Sequence, residues 1–165
     1  MALEIDRLLD NTGWRLVQAL QQNARLSYSE LGNQVGLSAP AVADRIRRME
    51  DAGIITGYHA EVNMAKLGIP VSAIVHLGKI GGHGCQNTAA EVSEIPEVVE
   101  CYRVTETDSI IVRVVATSVD HLANVIDQLS QYGIPSASIV RSKPIKRRTV
   151  MPEVLRWEAE QESNP

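Results

Sequence analysis

Apolar residues recur at helical spacing through the first third of this 165-residue chain and gather in short β-branched runs through the rest. The change of period falls between Gly57 and Pro70, so the sequence reads as a helical domain over 1–57, a linker over 58–70, a mixed domain over 71–150 and a tail over 151–165. Trp14, Val17 and Leu20, with Leu16 beside them, line one face of a helix over 12–22. Gly13 points to a start after it, because glycine inside a helix costs about 1 kcal/mol relative to alanine. Ser27-Tyr28-Ser29-Glu30 has capping-box spacing, and the helix it opens is expected to bury Tyr28, Leu31 and Val35. Gly36 can turn the chain at positive φ. Ser38 then caps a third helix with Pro40 in its first turn, Val42, Ile46 and Met49 as its inward stripe and Gly53 at its end.

Beyond the linker, Val71–Leu77 reads as a strand and 81–84 as a glycine-rich loop. Thr88-Ala89-Ala90-Glu91 repeats the capping-box spacing and opens a short helix that Pro96 closes. Strands over 98–104 and 109–116 form a hairpin about the polar turn 105–108. Ser118 starts a helix with Val119, Leu122, Ile126 and Leu129 inward, Gly133 and Pro135 end it, and a last strand follows over 138–145. The order β-α-β-β-α-β is the ferredoxin-like arrangement, with both helices on one face of a four-stranded sheet. Its bare face needs a cover, so a dimer is expected through it. The expected fold class is therefore α+β: an N-terminal helix-turn-helix, winged-helix-like domain followed by a ferredoxin-like βαββαβ domain.

Two helices joined at Gly36-Leu37-Ser38 suit a helix-turn-helix, whose second helix lies in the DNA major groove. With Val42, Ile46 and Met49 inward, Ser38, Ala39, Ala41, Asp44 and Arg45 are assigned to the outer, base-facing side, with Arg45 as the guanine reader. Arg47, Arg48, Arg25 and the start of the second helix at Ser27 and Ser29 are assigned to phosphates. Residues 1–57 carry six basic against seven acidic side chains, a net of −1, and the whole chain carries −4. Double-stranded DNA would therefore be held by local patches rather than by a general basic field. Three amphipathic helices with solvated arginines stay open as the bland alternative.

Other features exclude function classes. No apolar run reaches the roughly 18 residues of a membrane span, and no basic-then-apolar leader precedes Asp10, so a cytoplasmic protein without a membrane partner is expected. Cys85 and Cys101 are too few for a disulfide framework or a zinc cluster, and the four histidines lack metal-ligand spacing. No metal, cofactor or catalytic residue is expected: His83 and Cys85 have no orienting third group, and 81–84 lacks the Lys-Ser/Thr that closes a phosphate loop. The cations Arg141, Lys143, Lys146, Arg147 and Arg148 read as charge protecting an edge strand. A second phosphate-contacting strip, or a patch meeting the acidic tail at Glu153, Glu158, Glu160 and Glu162, is the alternative.

The stretch GNQVGLSAPAVADRIRRMEDAGIITGY, Gly32 to Tyr58, resembles the helix-turn-helix of the Lrp/AsnC (feast-famine) transcription regulators. Glu97 to Thr105 and Ser136 to Val140 are similar to two strands of the same family, and the likeness runs from Leu9 to Arg148. The resemblance implies a DNA-binding domain followed by a ferredoxin-like domain that dimerises, commonly assembles into octamers and in many members senses an amino acid. The effector positions it implies are Glu106, Thr107, Asp108, Ser109, Ser136 and Ser138. Two departures stand out: Gly13 replaces a usual acidic residue, and Glu106 replaces a usual turn glycine. Glu106 and Asp108 suit a ligand's ammonium, while a ligand's carboxylate would be repelled by both. A sequence-specific DNA-binding regulator, not an enzyme, is the reading. An amino-acid-binding allosteric module without DNA binding and a siroheme decarboxylase-like enzyme are its alternatives.

Overall fold

A computed structural model describes residues 5, 7–78, 85–105, 109–145 and 147–155, the side chains of 85–87 and 155 excepted. The described residues fall into two compact units, one drawn from Met1–Ala60 and Ile145–Pro165, the other from Glu61–Pro144.

In the first unit, α1 (Asn11–Gln22) begins before Gly13, not after it, because Asp10 caps the helix and accepts the Gly13 N–H at 2.8 Å. Glycine is required there for space: a Cβ at position 13 would stand 1.8 Å from the Leu8 carbonyl oxygen. The chain ahead of the helix folds against this spot, with the Leu9 N–H donating to the Ile5 carbonyl at 2.9 Å. Leu16 and Ala19 form the buried centre of the α1 face, while Trp14, Val17 and Leu20 flank it half-buried.

Helix α2 (Tyr28–Val35) opens on the expected capping box, with the Ser27 N–H donating to Glu30 Oε2 at 2.7 Å and the Glu30 N–H to Ser27 Oγ at 3.2 Å. Leu31 is fully buried and Val35 half-buried. Tyr28 is not buried: as the first helical residue it lies outside the apolar cluster and is 49% exposed. Gly36 turns the chain at φ 76°, ψ 33°, the left-handed conformation that glycine adopts at little steric cost. Helix α3 (Ala39–Asp51) follows, capped by Ser38 Oγ, which accepts the Ala41 N–H at 3.4 Å. Val42, Ile46 and Met49 are buried, and Leu16, Ala19, Leu31, Val42 and Ile46 form one cluster that binds the three helices together. Among the described residues this unit is helical, with no strand to form a wing.

The second unit holds β1 (Val71–Gly78), α4 (Cys85–Ser93), β2 (Val98–Val104), β3 (Ser109–Ala116), α5 (Val119–Leu129) and β4 (Ile134–Ile139). The strands pair antiparallel in the order β2-β3-β1-β4, as the ferredoxin-like expectation requires. Ala73, Val75 and Leu77 of β1 and Ile110, Val112 and Val114 of β3 share a core with Val92 of α4 and Leu122, Val125 and Leu129 of α5.

Three expectations are corrected here. Helix α4 starts at Cys85, so Thr88 lies buried inside it rather than capping it. In α5 the inward residues include Val125, and Val119, the first helical residue, is exposed. Strand β4 starts at Ile134 and stops at Ile139. Pro135 pairs with Leu77 within it, which an edge strand tolerates because the missing N–H can be on the outer side. The basic run from Arg141 onward therefore lies outside the strand it was expected to protect.

Replacing Gly13 by Ala raises helix propensity but forces a methyl group into the Leu8 carbonyl. We expect a net loss of about 1 to 3 kcal/mol in urea denaturation.

Candidate nucleic-acid interface and effector face

The rotation of α3 about its own axis decides which of its side chains can meet DNA. Successive residues are about 100° apart on a helix. Relative to the centre of the Val42–Ile46–Met49 stripe, Pro40, Ala41, Asp44, Arg47, Arg48 and Asp51 fall on the far side, and all six are exposed. Ser38 is exposed at the cap, and Ala39 is half-buried in the first turn. Arg47 Nη2 donates to Asp44 Oδ1 at 3.0 Å across one turn, with the arginine side chain 71% exposed.

Arg45 is not on that outer face. Position 45 lies only about 65° from the centre of the buried stripe by the same rotation, at its flank. Its guanidinium turns back onto the Asp10 carboxylate and reaches the Arg7 carbonyl at 3.5 Å, with only 24% of the side chain exposed. Its Nε is buried with no hydrogen-bond partner among the described residues. The expectation that Arg45 stands on the outer face as the guanine reader is therefore corrected: its Nη2 is engaged inside the unit by Asp10 and the Arg7 carbonyl, tying α3 to the cap of α1. Asp10 supplies the carboxylate in this pair, and the crowding at Leu8 explains why position 13 cannot. The Gly13 N–H, with further help from Arg45, holds the Asp10 carboxyl below its usual range.

Ser27 is corrected in the same way. Its N–H and its hydroxyl both donate to Glu30 Oε2, each at 2.7 Å, so the group assigned to phosphate is spent on an internal carboxylate. These two bonds, the hydroxyl's first, depress the Glu30 carboxyl. Ser29 and Arg25 stay exposed near the start of α2. Tyr58, missed by sequence reasoning, donates its hydroxyl to Glu50 Oε1 at 2.8 Å and pins the chain after α3 to the last turn of that helix. Burial and the Glu50 carboxylate push its phenol up to about 12.

In the second unit, the sheet face away from the helices carries two cross-strand rows. One runs Tyr102, Ile111, His76, Ser136 and the other Glu100, Arg113, Ile74, Ser138. Arg113 Nη2 donates to Glu100 Oε1 at 2.7 Å and the Tyr102 hydroxyl to Glu100 Oε2 at 2.7 Å. The arginine, then the tyrosine, lower the Glu100 carboxyl. His76 Nε2 is buried without a partner among the described residues. The expected Ser136 and Ser138 lie on this face, and Ser109 shares its side of β3, in line with Ile111 and Arg113. Glu106, Thr107 and Asp108 lie outside the described residues. Strand alternation could have found His76 and Arg113, because each stands between two buried apolar neighbours, whereas Glu100 lies in β2, where no residue is fully buried.

An AsnC-type helix-turn-helix domain matches residues 9–50, and an Lrp/AsnC ligand binding domain matches residues 72–153. The chain belongs to the Lrp/AsnC family of transcription regulators. It is 37% identical to the uncharacterized HTH-type transcriptional regulator YezC of Bacillus subtilis over 134 residues, 81% of this chain and 94% of that protein. The regulatory protein AsnC of Escherichia coli is 32% identical over 149 residues, 88% of this chain and 97% of its own. The solved structure of Neisseria meningitidis regulator NMB0573 in complex with L-Met superposes with a TM-score of 0.80 at 26% identity, covering 89% of this chain and 99% of that one. Like these relatives, the chain is a DNA-binding transcription regulator.

Because Asp10 is held below its ordinary value, its contribution is complete above about pH 4 and fades as the pH falls through its folded value. A double-mutant cycle on Asp10→Ala and Arg45→Ala, read by urea denaturation, should give a coupling of about 0.5 to 1 kcal/mol at pH 7, since half of the Asp10 side chain is exposed. That coupling should shrink toward pH 3.

Proposed function

We propose that α3 enters the major groove with its exposed stripe against the bases and that the flanking cations clamp the backbone. The observation that carries this reading is the complete burial of Val42, Ile46 and Met49, which leaves Pro40, Ala41, Asp44, Arg47 and Arg48 outward on one rigid rod. The N-terminal residues of a recognition helix are the ones that meet base edges. Ser38, Ala39, Ala41 and Asp44 take that role here, with Asp44 as acceptor for a cytosine amino group and Ala41 as the apolar contact for a thymine methyl. Arg47, Arg48, Arg25 and Ser29 take the phosphates. Arg45 acts as a positioning residue that holds α3 against α1.

The second unit, in this proposal, covers its open sheet face with a second copy of the chain, and such dimers build larger assemblies, octamers among them. An amino acid is the effector, by analogy with the L-Met complex of NMB0573. Its carboxylate and ammonium would be met by polar groups about Ser109, Ser136 and Ser138 and the turn 106–108.

In a binding titration, Asp44→Ala should lose about 1 to 3 kcal/mol of discrimination at one base pair, whereas Arg48→Ala should weaken cognate and random DNA alike. Arg45→Ala should also weaken both alike, with a lower melting temperature. A preferential loss on cognate DNA for Arg45→Ala would restore it to base reading. For assembly, light scattering of the full chain should show a dimer or larger, and Ile74→Glu, in the middle of the open face, should reduce that mass. A thermal-shift screen of the twenty amino acids should find at least one that stabilises the protein, by about 2.7 kcal/mol at 100 times its dissociation constant. A monomeric wild type, or a screen without a shift, overturns the corresponding part.

A further inference from the structure

The cations that follow β4 do not guard an edge, and the structure gives the last of them a different place. The strand stops at Ile139, and from Ile145 the chain groups with the helical unit. There it is fastened at one residue: the side-chain amide of Gln21, in the last turn of α1, accepts the Val150 N–H at 2.9 Å and donates to the Val150 carbonyl at 3.3 Å. A primary amide thereby supplies both bonds that a neighbouring strand would give to one backbone unit. Arg148 and Arg147 precede Val150 by two and three residues, which limits their Cα atoms to about 7 and 11 Å from it. Both are exposed. Arg25, also exposed, follows Gln21 by four residues just beyond the same helix end.

A unit of negative net charge meets a polyanion only through local clusters of cations. Residues 1–57 carry a net of −1, Arg45 is bound to Asp10, and Arg47 shares its charge with Asp44. Residues 145–165 bring Lys146, Arg147, Arg148 and Arg156 against Glu153, Glu158, Glu160 and Glu162, so the sum stays at −1 while three of these cations stand consecutively at 146–148. We propose that this segment is a strap of the DNA interface, pinned by Gln21 and presenting Arg147 and Arg148 to phosphates beside the groove that α3 occupies. Phosphate is the ligand class because two long, exposed cations beside a single backbone clamp have the charge for a polyanion and no fixed geometry for a base edge. The inference rests on the proposed DNA-binding mode of α3.

The test uses the full chain and titrates a duplex from the DNA upstream of its own gene and a random duplex of equal length across a fourfold range of salt. Losing two phosphate contacts lowers the slope of log affinity against log salt by about 1.8 per subunit. Wild type should therefore lose about tenfold more affinity per subunit across that range than the variant Arg147→Ala/Arg148→Ala. The loss should be equal on both duplexes. Arg147→Lys/Arg148→Lys should restore the slope, because the charge is kept. Gln21→Ala keeps every charge and suits a helix, and it should weaken both duplexes several-fold at an unchanged melting temperature. An unaltered slope in the double alanine variant, with wild type binding DNA, overturns the strap alone. Gln21→Ala behaving as wild type while the double variant loses slope overturns the clamp. A wild type that binds neither duplex at low salt overturns the DNA-binding mode and the strap together.

Discussion

The burial of Val42 and Ile46 against Leu16 and Leu31, with Met49 buried on the same stripe, is the constraint on which the first unit depends. A helix is a rigid rod with side chains at fixed angular steps, so burying three residues of one stripe leaves no freedom to choose the others. Asp44, Arg47 and Arg48 face outward for this reason alone. Arg45, one step from Ile46, falls on the flank where the rod meets the start of α1. There it meets a carboxylate rather than solvent. A cation on an exposed helix is thus not automatically free for a ligand.

The Asp10–Arg45 pair also explains a local oddity of sequence. Gly13, in the first turn of α1, would be a poor helix residue in isolation, but the Leu8 carbonyl occupies the volume of its missing Cβ. Asp10 then performs two tasks with one carboxylate, capping the Gly13 N–H and engaging Arg45. Capping, close approach and ion pairing converge on about five residues and join the chain start to α3.

In the second unit the same economy is expressed through strand alternation. Every second residue of β1 and β3 enters the core under α4 and α5, and the residues between form the rows of the open face. Because register follows from the buried set, Ile74 and Arg113 are forced to stand opposite each other. The open face is therefore mixed: aliphatic at Ile74 and Ile111, polar at His76, Ser136 and Ser138, and charged at the paired Glu100 and Arg113.

Much of the fold was legible in the sequence because the signals were local. The Ser27–Glu30 capping box, the Gly36 turn, the Ser38 cap and the α3 stripe each involve residues within a few positions of one another, and each formed as read. The β-α-β-β-α-β order was legible for the same reason. The tertiary structure decided what depends on partners distant in the chain. Thr88 has cap spacing, but the preceding residues continued the helix through it. Pro135 reads as a breaker, yet a place at the sheet edge lets it sit in β4. Arg45 met Asp10 across 35 positions and Gln21 met Val150 across 129, and no spacing rule spans such distances. Periodicity shows which side of an element turns inward; only the packed chain shows what waits there.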